Sequence, residues 1–287
     1  MMDVITRRGF LVGGALLAAG CAHDQADDVF ATIENRLGGH IGFSALDTHS
    51  GQRIRWRADE RFAMCSTFKV ALAAAVLGRV DHGDLLPDQI LNFDPTKLLG
   101  AARASAQHPD GRISVIEACE GVITVSDNTA ANALLDLIGG PTMMTKFFRS
   151  LGDQVTRLDR YEMELNSNIE GDVRDTTTPD AMLHTLQALL LGNVLGDASR
   201  GRLTEWMLNE QNGRSRARAG LPASWRVANK PGTSANGAVN DIGVAWPPKG
   251  QPIILAVYTN APRTKTAESE AAIAQAAAMA AQKFNLE

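Results

Sequence analysis

Alternating apolar and polar positions mark strands near both ends of the chain. Residues 40–47 and 52–57 alternate and flank a polar turn at 48–51, which is typical of a β-hairpin. Strand patterns return late in the chain, at 226–230, 238–246 and 252–258. The pattern therefore predicts one antiparallel sheet built from both ends of the chain.

The middle of the chain has helical periodicity, interrupted by Gly and Pro. A helix over 29–37 precedes the hairpin, and an alanine-rich helix over 266–283 closes the chain. The helices predicted between the strands are 67–79, 114–124, 127–138, 142–151, 179–191 and 199–210. Residues 152–178 show no clear period, and an irregular stretch of that length inside a compact domain is usually functional.

This order of elements predicts an α+β fold with two lobes. Residues 29–60 and 212–287 form an α/β sandwich lobe, in which helices pack on the antiparallel sheet. Residues 61–211 form an all-helical lobe. Sites commonly form where two such units meet, so we expect the functional site between the lobes.

The N-terminal segment fits neither lobe and has the pattern of an export signal. Arg7 and Arg8 precede the apolar run 11–19, which is too short to span a bilayer. We therefore predict a twin-arginine signal over residues 1–20, a linker over 21–28, and an exported, periplasmic protein. Residues 17–21 also resemble a lipoprotein processing site, and two outcomes stay open for Cys21: a lipid anchor, or none.

Composition and charge restrict the possible partners. The chain has a net charge of −4 and no block of lysines or arginines, which argues against a nucleic-acid partner. The six histidines are scattered, and no His/Cys cluster has metal-ligand spacing, so we predict neither a metal nor another cofactor. Cys65 and Cys119 are expected to be free thiols rather than a disulfide.

A single Ser-x-x-Lys motif, Ser66 to Lys69, stands at the start of an apolar helix. Positions i and i+3 share a helix face, so Lys69 is expected beside the Ser66 hydroxyl. A partly desolvated lysine can take the proton of a serine and make it a nucleophile. The simpler interpretation is a serine N-cap followed by a surface lysine. The motif alone does not decide between them.

Ser126-Asp127-Asn128 lies between two predicted helices and also allows two interpretations. It is good turn and capping chemistry. It also suits catalysis, with Ser126 relaying a proton to a leaving nitrogen and Asn128 holding a substrate amide.

Glu162 and Asn166 lie four residues apart in the irregular stretch. They are either solvated loop residues or a pair that holds one water, with Glu162 as general base and Asn166 as its orienting partner. Arg160 and Asp175 bracket this segment. An ion pair between them would close it as a compact loop.

Lys230-Pro231-Gly232-Thr233 stands at the end of a predicted strand. Lys230 puts a positive charge at a sheet edge, and Gly232 permits close approach of a substrate. The Thr233 amide can donate, together with the Ser66 amide, to a developing oxyanion. The alternative is a strand that simply ends in a turn.

The order and spacing of these clusters resemble the class A serine β-lactamases, whose signatures are Ser-x-x-Lys, Ser-Asp-Asn and Lys-Thr-Gly. The resemblance covers residues 29–287. It implies an enzyme that hydrolyses the β-lactam amide of penicillins and cephalosporins through a serine acyl-enzyme and thereby confers antibiotic resistance. It also implies a small-molecule β-lactam as the only partner, and we expect a monomer without a cofactor.

The resemblance implies a role for each matching residue. Ser66 is acylated, and either Lys69 or Glu162 is the base for acylation, a question the family leaves disputed. Glu162 with Asn166 activates the water for deacylation. Ser126 and Lys230 deliver the proton and bind the substrate carboxylate, and the Ser66 and Thr233 amides form the oxyanion hole. Asn128 and Gly232 contact the substrate. Arg160 and Asp175 close an omega loop at about 157–175.

Several positions depart from the family pattern. Pro231 removes a hydroxyl that usually serves the substrate carboxylate, and Met163 stands where proline is common. Arg216 matches an arginine with which some members bind the substrate carboxylate. The alternative is that Arg216 is simply one of three surface arginines, at positions 214, 216 and 218. Ser234 stands where some carbapenem-hydrolysing members have a cysteine that bridges to the position of Cys65, so that bridge cannot form.

Two other functions stay open. One is a penicillin-binding enzyme of the DD-peptidase type, which acylates and then stalls. Glu162 and Asn166 argue against it, because such enzymes lack this water site. The other is a non-catalytic lipoprotein that binds cell-wall fragments. The joint presence of five residues argues against it: Ser66, Lys69, Ser126, Glu162 and Lys230.

Overall fold

The computed structural model describes residues 25–285. The strands are β1 (His40–Asp47), β2 (Arg53–Trp56), β3 (Phe62–Ala63), β4 (Ile90–Asn92), β5 (Arg112–Ser114), β6 (Thr176–Thr177), β7 (Arg226–Thr233), β8 (Ala238–Trp246) and β9 (Ile253–Asn260). The α-helices are α1 (Gln25–Leu37), α2 (Lys69–Asp81), α3 (Val115–Thr124), α4 (Asn128–Ile138), α5 (Pro141–Ser150), α6 (Pro179–Leu186), α7 (Asp197–Leu208), α8 (Ala217–Gly220) and α9 (Thr266–Lys283). A π-helical turn, Gln187–Leu191, extends α6.

The main sheet has five strands in the order β2-β1-β9-β8-β7. Strand β1 pairs along its whole length with β9, from His40 opposite Asn260 to Asp47 opposite Ile253. All neighbours are antiparallel, and β7 is an edge strand. The predicted α+β fold, with a sheet built from both ends of the chain, is confirmed.

Both faces of this sheet are covered. Along β9, Ile253, Leu255 and Val257 pack with α1 and α9, whereas the alternate residues Ile254 and Ala256 pack with the central helices. A strand with both faces buried reads as a continuous apolar run, because its two sets of side chains enter two cores. Helix α2 lies in the second core and is apolar almost all round, with Val70 to Leu77 buried.

The region predicted to be all-helical also contains strands. Strands β3 and β6 form one two-stranded sheet, and β4 and β5 form another. Each of these strands is only two or three residues long. So short a strand leaves no detectable alternation in the sequence, which is why it was not predicted.

Two predicted boundaries near the site are wrong in an informative way. Strand β7 continues through Pro231 and Gly232 to Thr233 instead of ending at Lys230. A proline is tolerated there because β7 is an edge strand, whose outer side needs no N–H donor. Helix α2 begins at Lys69 and is preceded by a 3-10 turn, Cys65–Phe68, that holds Ser66.

The N-terminal prediction is also partly wrong. Helix α1 begins at Gln25, so residues 25–28, assigned to a linker, form its first turn. Asp27 and Asp28 lie there and complement the positive end of the helix dipole. The predicted export signal and Cys21 lie outside the described residues. Among residues 25–285, no helix combines the length and apolar character needed to cross a membrane.

Candidate active site

The two residues of the Ser-x-x-Lys motif are brought together by the 3-10 turn. Side chains three residues apart eclipse in a 3-10 helix, so Lys69 lies directly over Ser66. Lys69 Nζ donates to Ser66 Oγ at 3.1 Å. The N-cap of α2 is Phe68, without a side-chain cap, and Lys69 is fully buried. The interpretation of Ser66 as an N-cap before a surface lysine is therefore wrong.

Lys69 is the most connected group in the site. Its Nζ lies 2.5 Å from Asn128 Oδ1, 3.0 Å from the Ser126 carbonyl oxygen and 3.4 Å from Ser126 Oγ. It also lies 2.9 Å from Glu162 Oε1, in a buried ion pair. With Ser66 Oγ this makes five oxygens around one nitrogen, whereas an ammonium has only three protons. The acceptors therefore compete for the lysine.

The Ser126 turn directs two oxygens into the site. Ser126 has φ +60°, a left-handed conformation that is costly for a serine and is found at functional sites. Its hydroxyl also accepts from Lys230 Nζ at 3.0 Å. Asp127 braces the turn, since its buried carboxylate accepts from the amides of Ala104, Ser105 and Ala130 and from the Ser105 hydroxyl.

Lys230 comes from β7 and contacts the same Ser126 hydroxyl as Lys69. It is fully buried, and this burial lowers the pKa of its amine to about 7. On the neighbouring strand β8, burial raises the pKa of Asp241 to about 7 as well. Asp241 accepts from the Asn229 side chain and from the Ala217 amide.

Glu162 lies on the facing side of the cleft, in the irregular stretch. Asn166 Nδ2 donates to Glu162 Oε2 at 2.6 Å. Glu162 Oε1 faces Lys69, but no hydrogen-bond donor is aligned with it among the described residues. Asn132, on α4, holds the Glu162 backbone: its Oδ1 accepts from the Glu162 N–H, and its Nδ2 donates to the Glu162 carbonyl, both at 2.9 Å. The Glu162–Met163 peptide bond is cis.

The ion pair predicted to close this loop is present. Arg160 Nε donates to Asp175 Oδ2 at 2.6 Å. Asp175 Oδ1 also accepts from the backbone N–H groups of Asp159 at 2.7 Å and Arg160 at 3.0 Å. The fully buried carboxylate therefore joins the two ends of the loop.

Arg216 is buried and is not one of a group of surface arginines, so that alternative is wrong. Its guanidinium donates to the carbonyls of Gly232 at 2.8 Å and Asn240 at 2.7 Å, and to Thr233 Oγ1 at 2.7 Å. Glu270 accepts from its Nε at 3.2 Å. Because the Thr233 hydroxyl accepts from Arg216, its own proton is directed elsewhere.

Gly232 is required by the protein's own packing. A Cβ at this position would lie 2.7 Å from the Met64 carbonyl oxygen and 3.1 Å from Cys65 Cβ. The missing side chain therefore lets β7 approach the turn that carries Ser66. From the sequence we expected this glycine to admit a substrate, and the packing of β7 against Met64 and Cys65 is a different reason for it.

The two cysteines of the described residues, Cys65 and Cys119, are free thiols, as predicted, and both are buried. Burial raises the pKa of the Cys65 thiol to about 12, so it is not a nucleophile at neutral pH. The Ser234 hydroxyl donates to the Asn166 carbonyl at 2.5 Å.

Six of the predicted residues line one cleft of about 520 Å³, whereas Lys69, Glu162, Lys230 and Gly232 are buried and are not part of its lining. The walls of the cleft include Ser66, Ser126, Asn128, Asn166, Arg216 and Thr233.

Asn132 was not predicted from the sequence. Its spacing of four from Asn128 puts both amides on one face of α4 and could have indicated it. Within residues 25–285, no group of three or more His, Cys, Asp or Glu side chains is placed to hold a metal ion.

Comparisons with known proteins agree with this geometry. Residues 25–284 match the model of the Beta-lactamase enzyme family. The chain is 44% identical over 252 residues to the carbapenem-hydrolyzing beta-lactamase KPC of Klebsiella oxytoca, covering 88% of this chain and 86% of that protein. It is 46% identical over 233 residues to beta-lactamase L2 of Stenotrophomonas maltophilia, covering 81% of this chain and 77% of the relative.

Solved structures give the same result. An ancestral class A β-lactamase aligns with a TM-score of 0.88 at 47% identity, over 91% of this chain and 100% of that one. The match thus extends over the sheet, the helices and the cleft between them. The chain belongs to the class A serine β-lactamase family.

Proposed function

We propose that this protein hydrolyses the β-lactam amide of penicillins and cephalosporins through an acyl-enzyme on Ser66, and so confers antibiotic resistance. The observation that carries the proposal is the position of Lys69. One buried nitrogen contacts both the Ser66 hydroxyl at 3.1 Å and the Glu162 carboxylate at 2.9 Å. It thereby joins a nucleophile to a general base.

In the first step, Ser66 Oγ attacks the β-lactam carbonyl carbon and transfers its proton to a base. Lys69 is the better-placed base, because its nitrogen contacts Oγ directly. It becomes a free amine, able to take the serine proton, when its ammonium passes a proton to Glu162 Oε1, 2.9 Å away. The C–N bond of the ring then breaks, and Ser126 donates its proton to the leaving nitrogen. Ser126 regains a proton from Lys69 or Lys230, both of which contact its hydroxyl.

The negative charge on the carbonyl oxygen is stabilised by the Ser66 and Thr233 amides. Ser234 donates its N–H across to Ala238 on β8. Successive N–H groups along a strand point to opposite sides, so the Thr233 N–H points away from β8 and toward the cleft. Preorganised donors of this kind commonly account for about 10²- to 10³-fold in rate.

In the second step, a water molecule attacks the ester carbonyl and gives its proton to Glu162. The ester C–O bond breaks, and Ser66 Oγ takes a proton from the Lys69 ammonium. Glu162 returns the proton that it took from the water to Lys69, so that both groups are restored. Asn166, bound to Glu162 Oε2, orients the carboxylate and the water. This half of the site separates a hydrolase from a penicillin-binding enzyme that stalls after acylation.

The substrate carboxylate is bound at the β7 edge. Lys230 supplies a positive charge, and Thr233 supplies the hydroxyl that Pro231 lacks. Arg216 orients Thr233 through a 2.7 Å hydrogen bond. Asn128 contacts the acylamide side chain of the substrate.

The proposal extends to the location of the enzyme. Residues 1–20 direct twin-arginine export to the periplasm, and Cys21 is the only candidate for a lipid anchor. The mature enzyme is a monomer in which residues 25–60 and 212–285 form one lobe and residues 61–211 the other.

The experiment is to mix the purified mature protein with a chromogenic cephalosporin and to follow product and protein mass together. We expect sustained turnover and a transient adduct on the peptide that contains Ser66. Ser66→Ala should carry no adduct, whereas Ser50→Ala, in an exposed turn, should behave as wild type. A stoichiometric burst without turnover would indicate the penicillin-binding alternative, and no adduct at all would indicate a non-catalytic protein.

A further inference from the structure

Directly after Asn166, the loop is tied to the turn between β7 and β8. Ser234 Oγ donates to the Asn166 carbonyl at 2.5 Å, and Asn236 Nδ2 donates to the Ser167 carbonyl at 2.6 Å. In return, Asn168 Nδ2 donates to the Asn236 carbonyl at 2.7 Å. We call Asn168, Ser234 and Asn236, with these reciprocal bonds, the clasp.

The conformations of the clasp residues suit this arrangement. Asn168 has φ +44°, in the left-handed region that asparagine adopts more readily than most residues. Its amide also bonds to Asn260 Oδ1 at 3.0 Å, at the end of β9. The Ser234 hydroxyl accepts from the Asn236 N–H at 3.0 Å, so its own proton is directed to Asn166.

The clasp and the Arg160–Asp175 pair act on different parts of the loop. The ion pair joins the two ends, at residues 159–160 and 175. Asn166 lies between those ends and carries the amide that contacts Glu162. The clasp bonds the backbone of Asn166 and of the residue after it to the main sheet.

We propose that Asn168, Ser234 and Asn236 are positioning residues for deacylation, acting through Asn166. The inference rests on the proposed roles of Glu162 and Asn166. By fixing the Asn166 backbone, the clasp sets the direction of its amide toward Glu162 Oε2 and the geometry of the attacking water. It makes no contact with Ser66 or Lys69 among the hydrogen bonds of the described residues, so acylation should depend on it much less.

The test compares acylation and deacylation rates by rapid quench and intact-protein mass in Asn168→Asp and Asn236→Asp. Each change keeps the shape of the side chain but removes the N–H donor, and at position 168 aspartate also tolerates the left-handed backbone. Asn92→Asp, on an exposed strand away from the cleft, controls for the added charge. We expect deacylation to slow about fivefold in Asn236→Asp, which loses one side-chain hydrogen bond, and at least as much in Asn168→Asp, which loses two. Acylation should change less than about twofold.

A double-mutant cycle with Asn166→Ala separates positioning from general stability. If the clasp acts through Asn166, Asn236→Asp should have no further effect on deacylation once Asn166 is alanine. Additive effects would overturn the proposal. An equal loss in both steps would overturn it too, since the turn would then be positioning Thr233. Lower thermal stability with unchanged deacylation would make the clasp purely structural.

Failure of the clasp proposal is distinguishable from failure of the proposed function. Glu162→Ala and Asn166→Ala are measured alongside. If both deacylate at the wild-type rate, the proposed water site is wrong and the clasp proposal falls with it. If both are slow while Asn168→Asp and Asn236→Asp are normal, only the clasp proposal is wrong.

Discussion

The two walls of the cleft are built in different ways. One wall, which we call the acylation wall, consists of Ser66, Lys69, Ser126 and Lys230 and stands on regular elements. Its residues lie in a helical turn leading into α2, in the turn before α4 and in β7. The other, the water wall, is the loop from Arg160 to Asp175. Its only regular piece is the 3-10 turn Glu164–Asn166.

The difference lies in which groups hold each wall in place. The acylation wall is fixed by backbone hydrogen bonds, by a buried helix and by one side chain, the Asp127 carboxylate that braces the Ser126 turn. The water wall is fixed by side chains: Asn132 on Glu162, Asp175 on Arg160, and the clasp. Single substitutions should therefore affect the water wall far more selectively. Lys69 contacts both walls and is the exception.

Removal of the Lys69 amine should have the largest effect. Lys69→Met keeps most of the volume but leaves Ser66 without its base and Glu162 without its counter-charge. We expect acylation to fall roughly 10³-fold, within the usual range for a general base. The measurement is the rate of adduct formation, and Lys97→Met, at an exposed lysine, is the control. A normal acylation rate in Lys69→Met would show that Lys69 is not the base that takes the Ser66 proton.

Breaking the Arg160–Asp175 pair should destabilise the water wall. Asp175 has φ +57°, which asparagine tolerates, so Asp175→Asn leaves the backbone unstrained and removes the charge and one acceptor oxygen. The amide would face the Arg160 donor in the buried site, and we expect a loss of about 3 kcal/mol in the free energy of unfolding. Chemical denaturation measures it. Asp59→Asn, in an exposed pair with Arg55, should change little, and equal losses would contradict the account.

How far the sequence predicted the site depends on the wall. Ser66, Lys69, Ser126 and Lys230 were found because their identity and spacing form motifs. Glu162 and Asn166 were found only as an isolated pair in an irregular stretch. Asn132 and the clasp were missed, because bonds from asparagine side chains to distant backbone groups follow no period. The extension of β7 was missed because Pro231 and Gly232 usually indicate a turn.

The charge of Lys230 should make substrate binding at the acylation wall depend on pH. Burial lowers the pKa of this amine to about 7, so it is charged below that pH and neutral above it. KM for a substrate with a ring carboxylate should therefore rise roughly tenfold from pH 6 to pH 8.5, as one charged hydrogen bond is lost. Lys230→Arg stays charged and should show no such rise. A flat KM in the wild type would contradict this assignment.

The smallest effect is expected at Arg216, which acts through Thr233. Arg216→Ala removes the bond that orients the Thr233 hydroxyl, and KM for carboxylate-bearing substrates should rise about fivefold. The neighbouring exposed Arg214 supplies the control, Arg214→Ala. An unchanged KM in the Arg216 variant would remove Arg216 from substrate binding and leave it only a structural role.

The central claim is that each wall performs one step, and Glu162→Gln tests it most directly. This variant keeps the size of the side chain and removes the base of the water wall. Time-resolved mass measurement should show the Ser66 adduct forming within about tenfold of the wild-type rate and then persisting, with deacylation slowed about 10³-fold. Normal turnover, or failure to form the adduct, would contradict the division of work between the two walls.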